Sequence, residues 1–139
     1  MSKDKLFLDT AFIQAVLNSR DQYHSSAKKL LPRVKDADEV WLTEAILMEV
    51  GNALSAFNRQ KVVTFIHQCY QFQNTRVVNV TTELFEAGLN LYESRLDKEW
   101  GLVDCISFAV MQQQSLTNAV TSDRHFVQAG FRALLLEVG

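Results

Sequence analysis

The feature that most constrains this chain is a short apolar run near its start that ends at a carboxylate. Residues 5–8, Lys-Leu-Phe-Leu, lead into Asp9 and then into the helical spacing of Phe12, Ile13 and Val16. A continuous apolar run followed directly by a helix is typical of a central strand in a parallel sheet, which is buried on both faces. Functional groups of such sheets lie beyond the carboxyl ends of the strands. The sequence therefore predicts that Asp9 lies at the functional edge.

Strands and helices are predicted to alternate along the rest of the chain. The other predicted strands cover residues 40–43, 76–80, 119–121 and 133–136, and the main helices 11–18, 44–58, 59–74 and 124–129. We also expect Asp21 to cap a helix that Pro32 interrupts or kinks, Thr43 and Thr81 or Thr82 to cap two others, and Asp104 to open a buried one. Such alternation indicates an α/β fold with a central parallel sheet of about four to five strands. The length of 139 residues predicts a single domain, 1–139.

Composition is that of an ordinary globular chain, with 47% hydrophobic residues and a formal net charge of -2. No segment has the length of a membrane span or the form of a signal peptide, so we expect a cytoplasmic protein with no membrane partner. Cys69 and Cys105 fall in helical stretches without metal-ligand spacing, so both are expected to be reduced core thiols. The net charge of -2 at first argues against a nucleic-acid partner. If four of the acids bind a cation, however, the rest of the protein carries a mildly positive net charge, so the net charge alone decides nothing.

Four acids are predicted to reach the same edge of the sheet. Asp9 and Asp123 follow strands, Asp104 opens a buried helix, and Glu49 lies about 100° from Val50, at the border of the core face of its helix. Carboxylates about 4 to 6 Å apart repel each other by a few kcal/mol per pair. Since no Lys or Arg is fixed at a strand end to neutralise them, a cation or raised pKa values must stabilise the group. Oxygen ligands of this kind favour Mg²⁺ or Mn²⁺ over zinc.

Each acid also has a structural explanation when it is taken alone. Asp104 and Asp123 stand where an N-cap residue would accept hydrogen bonds from a helix start. Asp9 could begin a turn, and Glu49 could reach solvent. The case for a functional site therefore depends on the four acids meeting.

The stretches around these acids resemble the PIN domain family, and most closely the small PIN proteins that serve as toxins in VapBC-type toxin–antitoxin pairs. The matching segments are residues 6–10, 49–54, 102–109 and 121–126 followed by 129–131, and the resemblance extends over residues 5–136. It implies a three-layer sandwich with helices flanking the sheet. It also implies catalytic metal-binding roles for Asp9, Glu49, Asp104 and Asp123, with supporting hydroxyls from Thr10 and from Thr121 or Ser122.

The resemblance implies a Mg²⁺- or Mn²⁺-dependent endoribonuclease, the toxin of a toxin–antitoxin pair. Metal-activated water would hydrolyse RNA and leave a 5′-phosphate and a 3′-hydroxyl. The expected partners are RNA, a small antitoxin on the surplus apolar surface of residues 59–72, and a second copy of the chain. Arg124 is the candidate phosphate contact, whereas His125 is expected to be a surface or packing residue and Trp100 a core residue.

Two other functions are weighed against this one. The first is a PIN-fold nucleic-acid-binding or assembly module with little or no nuclease activity. The second is another small α/β protein with an acidic pocket. Haloacid-dehalogenase-type phosphatases carry an acid two residues after the first Asp, where this chain has Ala11. Receiver domains carry an acid pair at the first strand, whereas Leu8 precedes Asp9 here.

Overall fold

A five-stranded, all-parallel sheet forms the centre of the computed structural model, which describes residues 3–138. Its strands are β1 (Lys5–Leu8), β2 (Glu39–Thr43), β3 (Thr75–Val78), β4 (Asn118–Val120) and β5 (Arg132–Ala133), in the spatial order β3-β2-β1-β4-β5. The α/β class and the central parallel sheet are therefore confirmed. Residues 1, 2 and 139 of the expected domain lie outside the described part of the chain.

Within the described residues 3–138, seven α-helices flank the sheet. They are α1 (Thr10–Leu17), α2 (His24–Asp36), α3 (Glu44–Ala53), α4 (Arg59–Gln71), α5 (Thr82–Ser94), α6 (Leu102–Gln113) and α7 (Arg124–Gln128). The side chains of Thr43 and Thr81 cap α3 and α5 by accepting hydrogen bonds from Ile46 N–H and Leu84 N–H, as predicted. Across residues 3–138, no helix is both long enough and apolar enough to cross a membrane.

The first strand is the centre of the molecule, as its apolar run predicts. Leu6, Phe7 and Leu8 are at most 4% exposed, and β1 pairs with β2 on one side and with β4 on the other. From β1 the sheet extends through β2 to β3 on one side and through β4 to β5 on the other. The direction in which strands are added therefore reverses at β1. Because ligands of open α/β sheets bind at such a reversal, the end of β1 is the favoured place for a site.

Helix α6 is buried over residues 105–111 and packs closely against α5. The closest approach is at Gly88, where an added Cβ would lie 2.6 Å from Ile106 Cγ1 and 3.1 Å from the Ile106 backbone. A glycine is therefore required for α5 to lie this near to α6. This packing fixes the position of α6, which carries Asp104. The two thiols, Cys69 and Cys105, are free and buried, as expected.

Several predicted boundaries are wrong. Helix α3 ends at Ala53 and not at residue 58, because the chain leaves the helix at Leu54 and turns so that Asn58 N–H donates to Leu54 O. Phe57, which lies beyond the end of α3, is consequently 60% exposed. Asp21 is not an N-cap: its carboxylate accepts a hydrogen bond from Tyr23 N–H in the turn before α2. Helix α2 continues past Pro32 to its end at Asp36.

The predicted last strand, residues 133–136, is mostly a 3₁₀ helix. Strand β5 has only two residues, and Leu134–Leu136 form a 3₁₀ turn in which Leu135 N–H donates to Thr121 O. Leu134 and Leu135 are both buried. A short buried apolar run has the same pattern in a strand and in a turn, so the sequence alone could not separate them.

Candidate metal centre

Asp9 lies at the carboxyl end of β1 and is only 4% exposed. Its Oδ2 accepts a hydrogen bond of 2.7 Å from Thr121 Oγ1, and the same hydroxyl accepts one from Asp123 N–H at 3.0 Å. Thr121 follows β4, the strand next to β1, and is fully buried. One hydroxyl thus connects the first acid to the backbone of the last, as the supporting role predicted for Thr121 requires. Ser122 makes no side-chain hydrogen bond within residues 3–138.

Asp104 and Asp123 lie side by side with a histidine between them. One ligand atom each from Asp104, Asp123 and His125 lies within 4.8 Å of the other two. Asp123 is the N-cap of α7, where its Oδ1 accepts from His125 N–H at 2.9 Å. Asp104 stands in the first turn of α6 rather than at its start, and its Oδ2 accepts from Gly101 N–H at 3.2 Å. Asp123 therefore has the N-cap role considered above, whereas Asp104 is the third residue of α6 and accepts a hydrogen bond from the N-cap residue Gly101. The two acids also meet each other.

Glu49 is exposed and does not belong to this tight group, but it is tied to the neighbour of Asp9. Its Oε1 accepts a hydrogen bond of 2.6 Å from the hydroxyl of Thr10, which is buried. The helical spacing placed Glu49 at the border of the core, half buried. The structure shows that this prediction is wrong, because the Glu49 side chain is exposed. Its carboxylate is held by the hydrogen bond from Thr10.

The environment of the acids disfavours their charged forms. Burial raises the pKa of Asp9 to about 7, with further increases from the charges of Asp104 and Asp123, against the opposing hydrogen bonds from Thr121 and the Thr10 backbone. Burial also raises the pKa of Asp104, helped by the charge of Asp123 and opposed by the hydrogen bond with His125. No Lys or Arg contributes to either shift. The positive charge that lowers the pKa of Asp104 comes from His125 instead.

In Asp104, Asp123 and Glu49, one carboxylate oxygen accepts hydrogen bonds from the protein and the other accepts none within the described chain. Asp104 Oδ1 and Asp123 Oδ2 receive no hydrogen bond from residues 3–138, whereas the other oxygen of each is held by N–H donors. Glu49 Oε2 is likewise without such a donor. Carboxylate oxygens that accept no hydrogen bond from the protein are free to act as ligands of the kind that Mg²⁺ and Mn²⁺ prefer. The donor set thus fits the cation that the sequence predicts.

Sequence reasoning missed His125. Its Nδ1 lies 3.0 Å from Asp104 Oδ2 and 3.4 Å from Asp123 Oδ1, so it is neither a surface nor a packing residue. Partial burial lowers the pKa of His125, but the hydrogen bond with Asp104 and the charges of Asp123, Asp104 and Glu99 outweigh it and raise the pKa. The available signal was its place two residues after Asp123, in the first turn of a helix. The partner Asp104, 21 residues earlier, was not visible from that spacing.

Two further residues considered in the sequence, Arg124 and Trp100, lie beside the site and in the core, respectively. Arg124 is exposed at the first position of α7, next to Asp123, and makes no ion pair within the described chain. Trp100 is 7% exposed, packs edge-to-face on Phe108 and donates from Nε1 to Gln128 Oε1. The prediction that Trp100 is a core residue is therefore confirmed.

The hydrogen bond from Thr10 gives a first testable prediction. Thr10→Val keeps the shape of the buried side chain and removes the donor to Glu49, so the carboxylate loses its fixed orientation. With Glu49 in its expected role as a metal ligand, losing the group that orients it typically costs 10- to 100-fold, and we expect the predicted RNA cleavage to fall by about that factor. The measurement is the cleavage rate at saturating Mn²⁺. Thr82→Val, at an exposed threonine that opens α5, is the matched control, and equal rates for the two variants would contradict the role of Thr10.

Comparison with known proteins agrees with this geometry. VapC20 of Mycobacterium tuberculosis, named as a 23S rRNA-specific endonuclease, is 29% identical over 126 residues, which cover 91% of this chain and 95% of the relative. The crystal structure of that protein, described as a sarcin-ricin loop cleaving toxin, superposes with a TM-score of 0.82 at 27% identity and covers 92% of this chain and 97% of that one.

A second solved structure shares the fold. FitAcB from Neisseria gonorrhoeae gives a TM-score of 0.63 at 18% identity, covering 92% of this chain and 94% of that one. The family model described as PIN domain matches residues 6–132, which is nearly the whole chain. The chain therefore belongs to the PIN domain family.

Proposed function

We propose that this protein is a Mg²⁺- or Mn²⁺-dependent endoribonuclease that hydrolyses RNA phosphodiester bonds. The observation that carries the proposal is that Asp104 and Asp123 meet each other and that their charges raise the pKa of the buried Asp9, while no Lys or Arg offsets the charge of Asp9 or Asp104. A structural role for these acids would explain their individual hydrogen bonds. It would not explain why burial and mutual repulsion are tolerated at the same place.

The residues of the chain have distinct tasks in this proposal. Asp9, Asp104 and Asp123 offer the metal-binding oxygens, and Glu49 adds a fourth carboxylate at the rim. Thr121 holds Asp9 Oδ2, and Thr10 holds Glu49 Oε1. The roles of all four acids as ligands remain predictions.

The chemistry requires little else from the protein. When bound, a divalent ion supplies a water of lowered pKa and offsets charge on the phosphate during in-line displacement. Arg124, exposed beside Asp123, is placed to contact a phosphate oxygen of the substrate. In this proposal water forms the new P–O bond and the P–O3′ bond breaks, so that O3′ leaves as a 3′-hydroxyl and the other product keeps a 5′-phosphate. No 2′-hydroxyl takes part.

The direct test is cleavage by the purified protein. Because the similar VapC20 is named for action on 23S rRNA, we choose a sarcin-ricin loop oligonucleotide as the first substrate, with the same sequence in DNA beside it. We expect cleavage of RNA in Mn²⁺ or Mg²⁺ and none in chelator. Binding of the RNA without turnover would instead favour the alternative, a PIN-fold binding or assembly module.

We further propose that the enzyme is a toxin whose antitoxin occupies an apolar groove between α1, α2 and α4. The groove has a volume of about 1130 Å³ and is lined by apolar residues that include Phe12, Leu31, Phe65 and Phe72. Two lysines, Lys35 and Lys61, and one acid, Asp36, also contribute to its lining. It contains part of the surplus apolar surface of residues 59–72. An apolar segment with acidic residues at its margins, helical or extended, fits these features.

The groove proposal predicts a selective loss of antitoxin binding. Phe72 is 53% exposed and lines the groove, so Phe72→Ser removes contact area without disturbing the core. We expect at least about a tenfold weaker complex with the antitoxin encoded beside this gene, measured by calorimetry, and unchanged RNA cleavage. Val63→Ser, on α4 but outside the groove lining, is the matched control. Equal weakening by both variants would place the antitoxin elsewhere.

We propose a homodimer through a stripe on α5. Phe85, Leu89 and Tyr92 recur at helical spacing, continue to Leu96, and are between 39% and 89% exposed. An exposed apolar row of this kind is commonly covered in an oligomer. Leu89→Glu is expected to give a monomer by size-exclusion chromatography with light scattering, whereas Val63→Glu on α4 leaves a dimer. A dimer that persists in Leu89→Glu would exclude this stripe.

A further inference from the structure

His125 connects two acids that come from different helices. It lies in the first turn of α7, and its Nδ1 is 3.0 Å from Asp104 Oδ2, on α6, and 3.4 Å from Asp123 Oδ1. We infer that His125 is a positioning residue whose Nδ1–H holds Asp104 Oδ2, so that Asp104 presents Oδ1 to the metal. This inference rests on the proposed metal-dependent function.

The geometry favours hydrogen-bond donation over direct ligation. The two atoms that face Nδ1 are carboxylate oxygens, which only accept hydrogen bonds when they are ionised. With Asp104 and Asp123 ionised, as acids that bind a cation are, a nitrogen that faces both at 3.0 and 3.4 Å carries a proton. Nδ1 carries one in the imidazolium and in one neutral tautomer. The donor role consequently holds in either charge state.

The hydrogen bond also completes the support of Asp104. Its Oδ2 accepts from Gly101 N–H at 3.2 Å on one side and from His125 on the other. Removing the imidazole leaves only the longer of these two bonds. Asp123 is different, because its Oδ1 also accepts from the backbone N–H of His125, which a side-chain substitution does not remove. The effect of losing the imidazole should therefore fall mainly on Asp104.

Two substitutions separate a donor from a ligand or a proton carrier. His125→Asn places an amide N–H near the position of Nδ1–H but cannot titrate, and His125→Ala removes the donor. We expect His125→Ala to lose 10- to 100-fold in Mn²⁺ affinity, the usual effect of losing a group that orients a ligand, and His125→Asn to lose less than about threefold. His67→Ala, on the exposed face of α4, is the matched control.

The readouts are Mn²⁺ affinity by isothermal titration calorimetry, RNA cleavage, and the circular dichroism spectrum of each full-length variant. Equal losses in His125→Asn and His125→Ala would overturn the inference, as would full Mn²⁺ affinity in His125→Ala. Wild-type protein that binds Mn²⁺ without cleaving RNA would contradict the proposed function alone. In that case the Mn²⁺ affinities would still decide the role of His125, since a positioning role requires His125→Asn to bind nearly as tightly as wild type and His125→Ala to bind more weakly.

Discussion

Asp9→Asn is expected to reduce RNA cleavage by more than about 100-fold, which is the upper end of the loss caused by removing a group that only supports a ligand. Asparagine keeps the size of the side chain, and its carbonyl oxygen still accepts the hydrogen bond from Thr121. What it removes is the charge at the carboxyl end of β1. The measurement is single-turnover cleavage of the RNA oligonucleotide in Mn²⁺.

The matched control is Asp38→Asn, which removes an exposed charge on the turn between α2 and β2. We expect it to cleave at the wild-type rate. Asp104→Asn should lose cleavage activity to a similar extent as Asp9→Asn, because both carboxylates belong to one proposed centre. Activity within tenfold of wild type in Asp9→Asn would mean that this acid is structural and that the proposed chemistry is wrong.

The metal-free protein is expected to lose stability as the pH rises from about 4 to about 7. The pKa of Asp9 is about 7 in the folded chain and 3.8 ordinarily, so its protonated form is favoured by folding. A group with a raised pKa contributes stability that is present below its unfolded pKa and lost as the pH rises through its folded pKa. The difference corresponds to on the order of 4 kcal/mol of unfolding free energy. The raised pKa values of Asp104 and His125 act in the same direction.

The measurement is thermal unfolding in chelator at pH 4 to 8, with Asp9→Asn as the comparison. At pH 8 we expect Asp9→Asn to melt several degrees higher than wild type, since it lacks the buried charge. Asp104→Asn should be as stable as wild type or more so. Added Mn²⁺ should raise the melting temperature of wild type and leave Asp9→Asn nearly unchanged. If Asp9→Asn melted lower than wild type at pH 8, the raised pKa would be refuted.

The parts of the fold that follow from local pattern were predictable from sequence. The apolar run at β1 and its direct continuation into α1 indicated a central parallel strand, and the alternation of elements indicated the class. Asp9 and Asp123 could be placed at one edge because both follow strands whose carboxyl ends point the same way. Asp104 could be placed less well, since its position within the first turn of α6 depends on where Gly101 starts the helix.

What the sequence could not show depends on contacts between distant segments. The bond between Thr10 and Glu49 joins residues 39 apart, and that between His125 and Asp104 joins residues 21 apart. Helical spacing gave the angle of Glu49 but not its exposure, because exposure depends on what packs beside α3. The apolar run at Leu134–Leu136 was mistaken for a strand for a similar reason, since the bond from Leu135 to Thr121 ends the sheet there.

The strand order has a consequence for protein synthesis. Strand β4, which pairs with β1, begins only at Asn118, and both Thr121 and Asp123 follow it. A nascent chain that has released Asp9, Glu49 and Asp104 from the ribosome still lacks the segment that holds Asp9 in place. The proposed acid set is therefore completed only when residues 118–123 have joined the sheet, so that a polypeptide without this segment carries no assembled centre while it is being translated.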